Sequence, residues 1–105
     1  MKKDLLQIIN NYGLKHQLKY IHSEYFELDE AILNYITRNE DREHIAEEIA
    51  DIMVMLKQFQ YYYEIEDKQI EDIMKYKIDR QLKRIDDENI WVRKIGTKRK
   101  WTKSE

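Results

Sequence analysis

Apolar residues recur at alternating spacings of three and four along most of the chain, which is the period of an amphipathic α-helix. The clearest run extends from about Leu14 to Thr37. Its apolar positions are Leu18, Ile21, Tyr25, Leu28, Ile32 and Tyr35. The pattern predicts one long helix with a single buried face.

A second run of the same kind follows the polar turn TRNEDRE, in which Asn39 or Asp41 is expected to cap the next helix. Its apolar positions are Ile45, Ile49, Ile52, Leu56, Phe59 and Tyr63. Additional alanines, methionines and Val54 extend the apolar character beyond one stripe. We therefore expect a partner subunit to cover a second surface of this helix.

Two more helices are predicted. A short one around Lys3 to Asn10 ends in NNYG, where asparagine and Gly13 tolerate the left-handed conformations of a helix C-terminus. The other, with Asp67 as its candidate cap, runs from about Lys68 to Asp87 on Ile70, Ile73, Met74, Ile78, Leu82 and Ile85. The chain has no proline and two glycines, so little interrupts the helices. The prediction is an all-α protein, an antiparallel four-helix bundle with short loops.

Length and composition add limits to this picture. A chain of 105 residues with 42% hydrophobic content is sufficient for one domain, which we place at residues 1–90, with residues 91–105 as a basic tail. Without cysteine, the chain has neither disulfides nor thiolate zinc sites. The N-terminal segment resembles neither a signal peptide nor a membrane span, so a cytoplasmic location without membrane contact is expected.

The formal net charge of -2 conceals an uneven distribution. Six lysines and arginines lie between residues 93 and 103, whereas the rest of the chain is acidic. An acidic body repels a nucleic-acid backbone, and no base-reading motif accompanies the tail, so no nucleic-acid partner is expected. We interpret the tail as a solvated terminus. Trp91 and Trp101 argue for some docking of it onto the body or a neighbouring subunit.

Carboxylates three residues apart occur twice, as Glu24 and Glu27 in EYFELDE and as Glu48 and Asp51 in EEIAD. At about 100° per residue, each pair lies about 60° and 120° to the same side of its apolar stripe. If the two acidic edges converge, their repulsion and desolvation require a cation. Oxygen ligands favour Mg²⁺ or Mn²⁺ over zinc. The alternative is that all four are solvated charges flanking the helix seam.

The two carboxylate motifs and the segments around them resemble those of a known protein family. The segments HQLKYIHSEYFELDEAI, HIAEEIADIMVMLKQF and YKIDRQLKRI resemble the MazG-like nucleoside triphosphate pyrophosphohydrolases, an all-α superfamily that includes the dimeric dUTPases. The similarity covers about residues 14–86. It implies that Glu24, Glu27, Glu48 and Asp51 are the metal-binding and catalytic residues of a MazG fold. It further implies a homodimer or homotetramer that hydrolyses a (deoxy)nucleoside triphosphate between the α and β phosphates, with Mg²⁺ or Mn²⁺, to a monophosphate and pyrophosphate.

The resemblance also bears on residues near the two motifs. Relatives often carry a glutamate immediately before the first motif, where this chain has Ser23. Glu47, which precedes Glu48 of the second motif, is expected to be solvated. Because of the serine at position 23, one alternative is a family member that has lost turnover. The other alternative is a non-enzymatic helical module that interacts with another protein. Relatives place a basic residue of the last helix on the triphosphate, which implies Lys77, with Arg80 as the second candidate.

Several aromatic residues are candidates for stacking on a base. The candidates are the tyrosines at positions 61 to 63, with Tyr25 and Phe26, but aromatic residues within helices are more typical of a core or an interface than of base stacking. His16, His22 and His44 have no metal-ligand spacing with each other.

Overall fold

The computed structural model describes residues 1–95, and within that range the chain forms four α-helices and no strand. They are α1 (Lys2–Tyr12), α2 (Leu14–Arg38), α3 (Arg42–Tyr62) and α4 (Asp67–Ile95). The all-α prediction is therefore confirmed. Residues 96–105, which include most of the predicted basic tail, lie outside the described part of the chain. Within residues 1–95, no helix is sufficiently long and apolar to cross a membrane.

Three residues mark the boundaries between the first three helices. Gly13 joins α1 to α2 with φ 91° and ψ 151°, a region that is open essentially to glycine alone. Asn39 follows α2 in the left-handed conformation, with φ 54° and ψ 39°. Asp41 caps α3, because its side chain accepts a hydrogen bond of 3.0 Å from the backbone N–H of Glu43. The two candidates of the TRNEDRE turn thus serve different helices.

The chain divides into two compact units, Met1–Glu66 and a second one that begins at Asp67. In the first unit, α3 packs against both α1 and α2. The α2 and α3 helices run antiparallel, since Gln17 contacts Gln58, whereas Glu24, which is later in α2, lies beside Glu48, which is earlier in α3. The buried apolar side chains of this unit are Leu5, Ile9, Ile21, Ala31, Ile52, Met55 and Tyr61. The assignment of residues 1–90 to one domain stays a prediction.

The buried face of α2 differs from the predicted one. Leu18, Tyr25, Ile32 and Tyr35 are between 39% and 48% exposed, so their assignment to the buried face was wrong. The face that packs inward carries Gln17, Ile21, Glu24 and Ala31. The physical reason is that α2 has apolar residues on more than one side, and the small Ala31 permits closer packing than the tyrosines.

The buried face of α3 differs in the same way: Ile49 and Leu56 are exposed, as is Tyr63 directly after the helix, while Glu48, Ile52 and Met55 are buried. The first unit consequently presents apolar side chains on its surface, among them Leu33, Ile36 and Met53.

The second unit contains α4, which extends past its predicted end at Asp87 to Ile95. The apolar positions that predicted this helix are largely exposed: Ile73, Met74, Ile78, Leu82 and Ile85. The helical prediction is confirmed, whereas the expected burial of these five side chains is not seen in the single chain.

Candidate metal and nucleotide site

Three of the four predicted carboxylates converge between α2 and α3. Glu24 and Glu27 of α2 and Glu48 of α3 each offer an oxygen, and these oxygens all lie within 4.8 Å of one another. Glu24 is 5% exposed and Glu48 is 7% exposed, whereas Glu27 is exposed. Because α2 packs through Ile21 and Glu24, the first carboxylate lies on the buried face and not at its edge. The antiparallel pairing of the helices brings Glu48 opposite it.

Two oxygens in this cluster are buried without a partner. Among the described residues, Glu24 Oε2 and Glu48 Oε2 are buried side-chain atoms that accept no hydrogen bond. An ionised carboxylate in this situation loses its hydration without compensation, which costs several kcal/mol. Proteins relieve such a cost by binding a proton or a cation.

The acid–base properties of the cluster follow from its burial. Desolvation raises the pKa of Glu24, and the charges of Glu27 and Asp51 add to the increase, while the hydrogen bond with Tyr20 opposes it. Desolvation likewise raises the pKa of Glu48, and interactions with Glu27 and Asp51 raise it further. The hydrogen bond with Glu24 raises the pKa of the Tyr20 hydroxyl. The cluster therefore favours the uptake of positive charge.

Asp51, the fourth predicted carboxylate, is exposed and is not part of the group within 4.8 Å. It lines the same cavity as Glu24, and its charge raises the pKa of both buried glutamates. It is thus close enough to act on whatever occupies the site. Nearby, His44 Nε2 lies 4.0 Å from Glu48 Oε1.

The neighbours of the motifs behave as solvated residues. The Ser23 hydroxyl donates a hydrogen bond of 2.9 Å to the backbone carbonyl of Tyr20 on the exposed side of α2. The Glu47 side chain is 73% exposed, as expected, and lies 3.7 Å from His44. Neither residue belongs to the convergent group.

The two predicted phosphate-binding residues lie on α4, in the second unit. Lys77 is exposed. Arg80 is also exposed, and its guanidinium lies 5.7 Å from the centre of the Tyr76 ring. Their contact with a triphosphate stays a proposal.

The convergent carboxylates fit a hard divalent cation. All the donors are oxygens, the ligands that Mg²⁺ and Mn²⁺ prefer. The three oxygens lie within 4.8 Å of one another, which is compact enough for a single ion to be held by all of them. Glu24, Glu27 and Glu48 would hold the ion, with Asp51 beside them.

A cavity of about 370 Å³ adjoins the carboxylates, and most of its wall was missed at the sequence level. Besides Glu24 and Asp51, it is lined by Tyr12, His16, Gln17, Tyr20, Met55 and Gln58, among others. The sequence contains two signals for this wall. Gln17 precedes Glu24 by seven residues, which places both on one face of α2. The aromatic spacing of four across Tyr12, His16 and Tyr20 was the other.

The aromatic residues considered from the sequence lie elsewhere. Tyr25, Phe26, Tyr62 and Tyr63 are exposed and do not line this cavity. Tyr61 is buried in the core, in agreement with the interpretation of these residues as core or interface.

Comparisons with known protein families, with curated proteins and with solved structures find no match for this chain. The resemblance to the MazG-like enzymes consequently depends on the motif residues themselves.

Proposed function

We propose that this protein is a metal-dependent nucleotide pyrophosphohydrolase. It would convert a (deoxy)nucleoside triphosphate to the monophosphate and pyrophosphate with Mg²⁺, or with Mn²⁺ in its place. The observation that carries the proposal is the convergence of Glu24, Glu27 and Glu48, with two buried oxygens that lack partners, beside a cavity large enough for a small molecule. The motif resemblance supplies the reaction.

The residues divide into two groups by exposure. Glu24 and Glu48 are buried, so their rotamers are restricted and their charge is directed into the site. Glu27 and Asp51 are exposed and open to water, so either can accept a proton from an attacking water. A bound divalent cation would neutralise phosphate charge and lower the pKa of that water. No covalent nucleophile is required.

Two further parts of the proposal concern the assembly. The exposed apolar side chains of α2 and α3, and separately those of α4, are consistent with a homodimer or homotetramer that covers them. We propose that the complete bundle forms in that oligomer. Lys77 and Arg80 would then contact the triphosphate.

The same exposed apolar surface favours a second candidate, a non-enzymatic helical module that docks another protein. An inactive member that retains the metal site is the third, because Ser23 is committed to a backbone hydrogen bond and not to the cluster. The helical module leaves the convergence of Glu24, Glu27 and Glu48 unexplained, whereas an inactive member would retain it.

The test is a panel of ribo- and deoxynucleoside triphosphates incubated with the protein and Mg²⁺ and analysed for products. Monophosphate with pyrophosphate supports the proposal, whereas diphosphate with orthophosphate indicates different chemistry. The absence of turnover across the panel favours a binding module or an inactive member. Glu27→Gln and Asp51→Asn should each abolish turnover and retain the helical circular dichroism spectrum. Full activity in both variants would refute the site assignment.

A further inference from the structure

The cavity beside the carboxylates has two chemically different ends. Along α2, Gln17 precedes Glu24 by seven residues, which corresponds to about 10 Å of helix. Along α3, Gln58 follows Asp51 by the same interval, in the opposite direction. All four residues line the cavity. It therefore presents carboxylates at one end and amides about 10 Å away.

An aromatic wall runs along the amide end. The rings of Tyr12 and His16 are 5.1 Å apart at an interplanar angle of 18°, and those of His16 and Tyr20 are 6.3 Å apart at 11°. All three rings line the cavity, and all three residues are exposed in the free protein. A planar ligand would bury this surface, either by offset stacking or edge to face. Gly13 permits the row to continue from α1 to α2.

The amide pair is an independent indication of a polar ligand. Gln17 is 4% exposed and Gln58 is 1% exposed, and Gln17 Nε2 donates a hydrogen bond of 2.8 Å to Gln58 Oε1. The Gln58 amide nitrogen donates to the sulfur of Met55 at 3.7 Å, which is a weak acceptor. Replacement of both partners of a buried hydrogen bond by apolar groups of similar shape can be nearly neutral for stability, so the fold alone does not require this pair. A carbonyl oxygen of a ligand is a stronger hydrogen-bond acceptor for the Gln58 amide nitrogen than the Met55 sulfur.

We infer that this cavity binds the base of the nucleotide, and that it selects a base bearing a ring carbonyl group. The aromatic wall of Tyr12, His16 and Tyr20 contacts the flat heterocycle, while Gln58 Nε2 donates to the carbonyl oxygen. The inference rests on the proposed function, because the carboxylate end must hold the cation and phosphates of the same molecule.

Binding of a non-hydrolysable nucleotide and of a ligand without a base tests this directly. The probes are the α,β-imido triphosphates of uridine and adenosine, and inorganic triphosphate, each titrated calorimetrically in the presence of Mg²⁺. We expect the uridine analogue to bind about tenfold or more tightly than inorganic triphosphate, as one stacked base typically provides. We also expect it to bind more tightly than the adenosine analogue, since adenine has no carbonyl.

Substitutions in the cavity wall test which side chains give the higher affinity for the uridine analogue. Tyr12→Leu combined with His16→Leu should remove the advantage of the uridine analogue and leave the affinity for inorganic triphosphate unchanged. Both side chains are exposed, and circular dichroism checks that the fold is retained without the 2.8 Å hydrogen bond from His16 Nδ1 to Gln17 Oε1. Tyr63→Leu is the matched control, because Tyr63 is exposed on the same unit but does not line the cavity. Gln58→Met, which has a similar volume, should abolish the preference for uridine over adenosine.

The outcomes separate the two proposals. Equal affinity of the wild-type protein for the nucleotide and for inorganic triphosphate would overturn the base-binding inference and leave the metal and phosphate site intact. Equal affinity for the two nucleotides would overturn the role of Gln58. Failure of all three probes to bind would contradict the proposed function, and the inference with it.

Discussion

Replacement of Glu24 by glutamine should change the stability of the protein in opposite directions with and without a divalent cation. Glu24 is a buried carboxylate with an oxygen that accepts no hydrogen bond in the described part of the chain, and its neighbours Glu27 and Glu48 carry like charge. Glutamine has the same shape and no charge. Without a cation the substitution removes a destabilising interaction, whereas with a cation it removes a ligand.

The structure sets the size of the metal-free effect. Two unit charges 4.8 Å apart repel by about 3.5 kcal/mol at an effective dielectric constant of about 20. A proton already relieves part of this repulsion, because burial and the neighbouring charges raise the pKa of Glu24. We expect Glu24→Gln to increase the metal-free free energy of unfolding by about 1–2 kcal/mol, which corresponds to an increase in Tm of about 5–10 °C.

With Mg²⁺ the order should reverse. A cation at about 100 times its Kd stabilises the wild-type fold by about 2.7 kcal/mol, and the variant should lose most of this stabilisation. The assay is thermal unfolding followed by circular dichroism, in a chelator and in saturating Mg²⁺. Glu30→Gln, an equal charge change at an exposed position of α2, is the control and should shift neither curve. A lower metal-free Tm for Glu24→Gln, or equal stabilisation of variant and wild type by Mg²⁺, would refute the reasoning.

Three other predictions follow from the cluster and the helix ends. Because burial raises the pKa values of Glu24 and Glu48, the folded chain binds protons more tightly than the unfolded chain. The metal-free Tm should therefore decrease as the pH rises from the ordinary pKa of 4.5 through the raised values. Saturating Mg²⁺ should flatten this dependence. A metal-free Tm that increases over that range would contradict the burial argument. Gly13→Ala should lower the free energy of unfolding, measured in urea, by about 1–3 kcal/mol. The reason is that the backbone at φ 91° is strained for alanine, although a Cβ would meet no atom within 4 Å. An unchanged urea midpoint would contradict this strain argument. Asp41→Ala should lower the free energy of unfolding by about 1 kcal/mol, because α3 loses its cap. Asp41→Asn retains the acceptor and should lower it less. Equal losses of stability in the two variants would show that the hydrogen bond is not the cause.

Much of the secondary structure could be predicted from the sequence, because local signals set the helix ends. Gly13 and the TRNEDRE turn separate the first three helices where the structure separates them, and α2 extends over nearly the predicted residues. Backbone conformation at these points is decided by the residue itself and its immediate neighbours. The end of α4 lacks such a signal near Asp87, and the helix continues to Ile95.

The rotation of each helix about its axis could not be predicted in the same way. Tyr25 and Ile32 satisfy the helical period as well as Ile21 does, yet they are exposed and Ile21 is buried. The choice between two apolar sides depends on which one fits against α3. As a result, Glu24 was predicted at the edge of the stripe and lies on the buried face.

The carboxylate pairs indicated a site because their spacing is local to each helix, but the cavity beside them depends on contacts across the unit. Gln17 and Gln58 are separated by 41 positions in sequence and meet at 2.8 Å. Tyr12 lies beyond the predicted end of the first helix at Asn10, but it is the last residue of α1 and its ring stacks on His16 across Gly13. Neither arrangement follows from the period of any single helix.

The most direct measurement of the central claim is a crystal structure of the protein grown with Mn²⁺, in which anomalous scattering locates the metal. Coordination of the ion by Glu24, Glu27 and Glu48 is the predicted result. Side chains of these three residues directed into solvent, with the anomalous signal elsewhere or nowhere, would contradict the account.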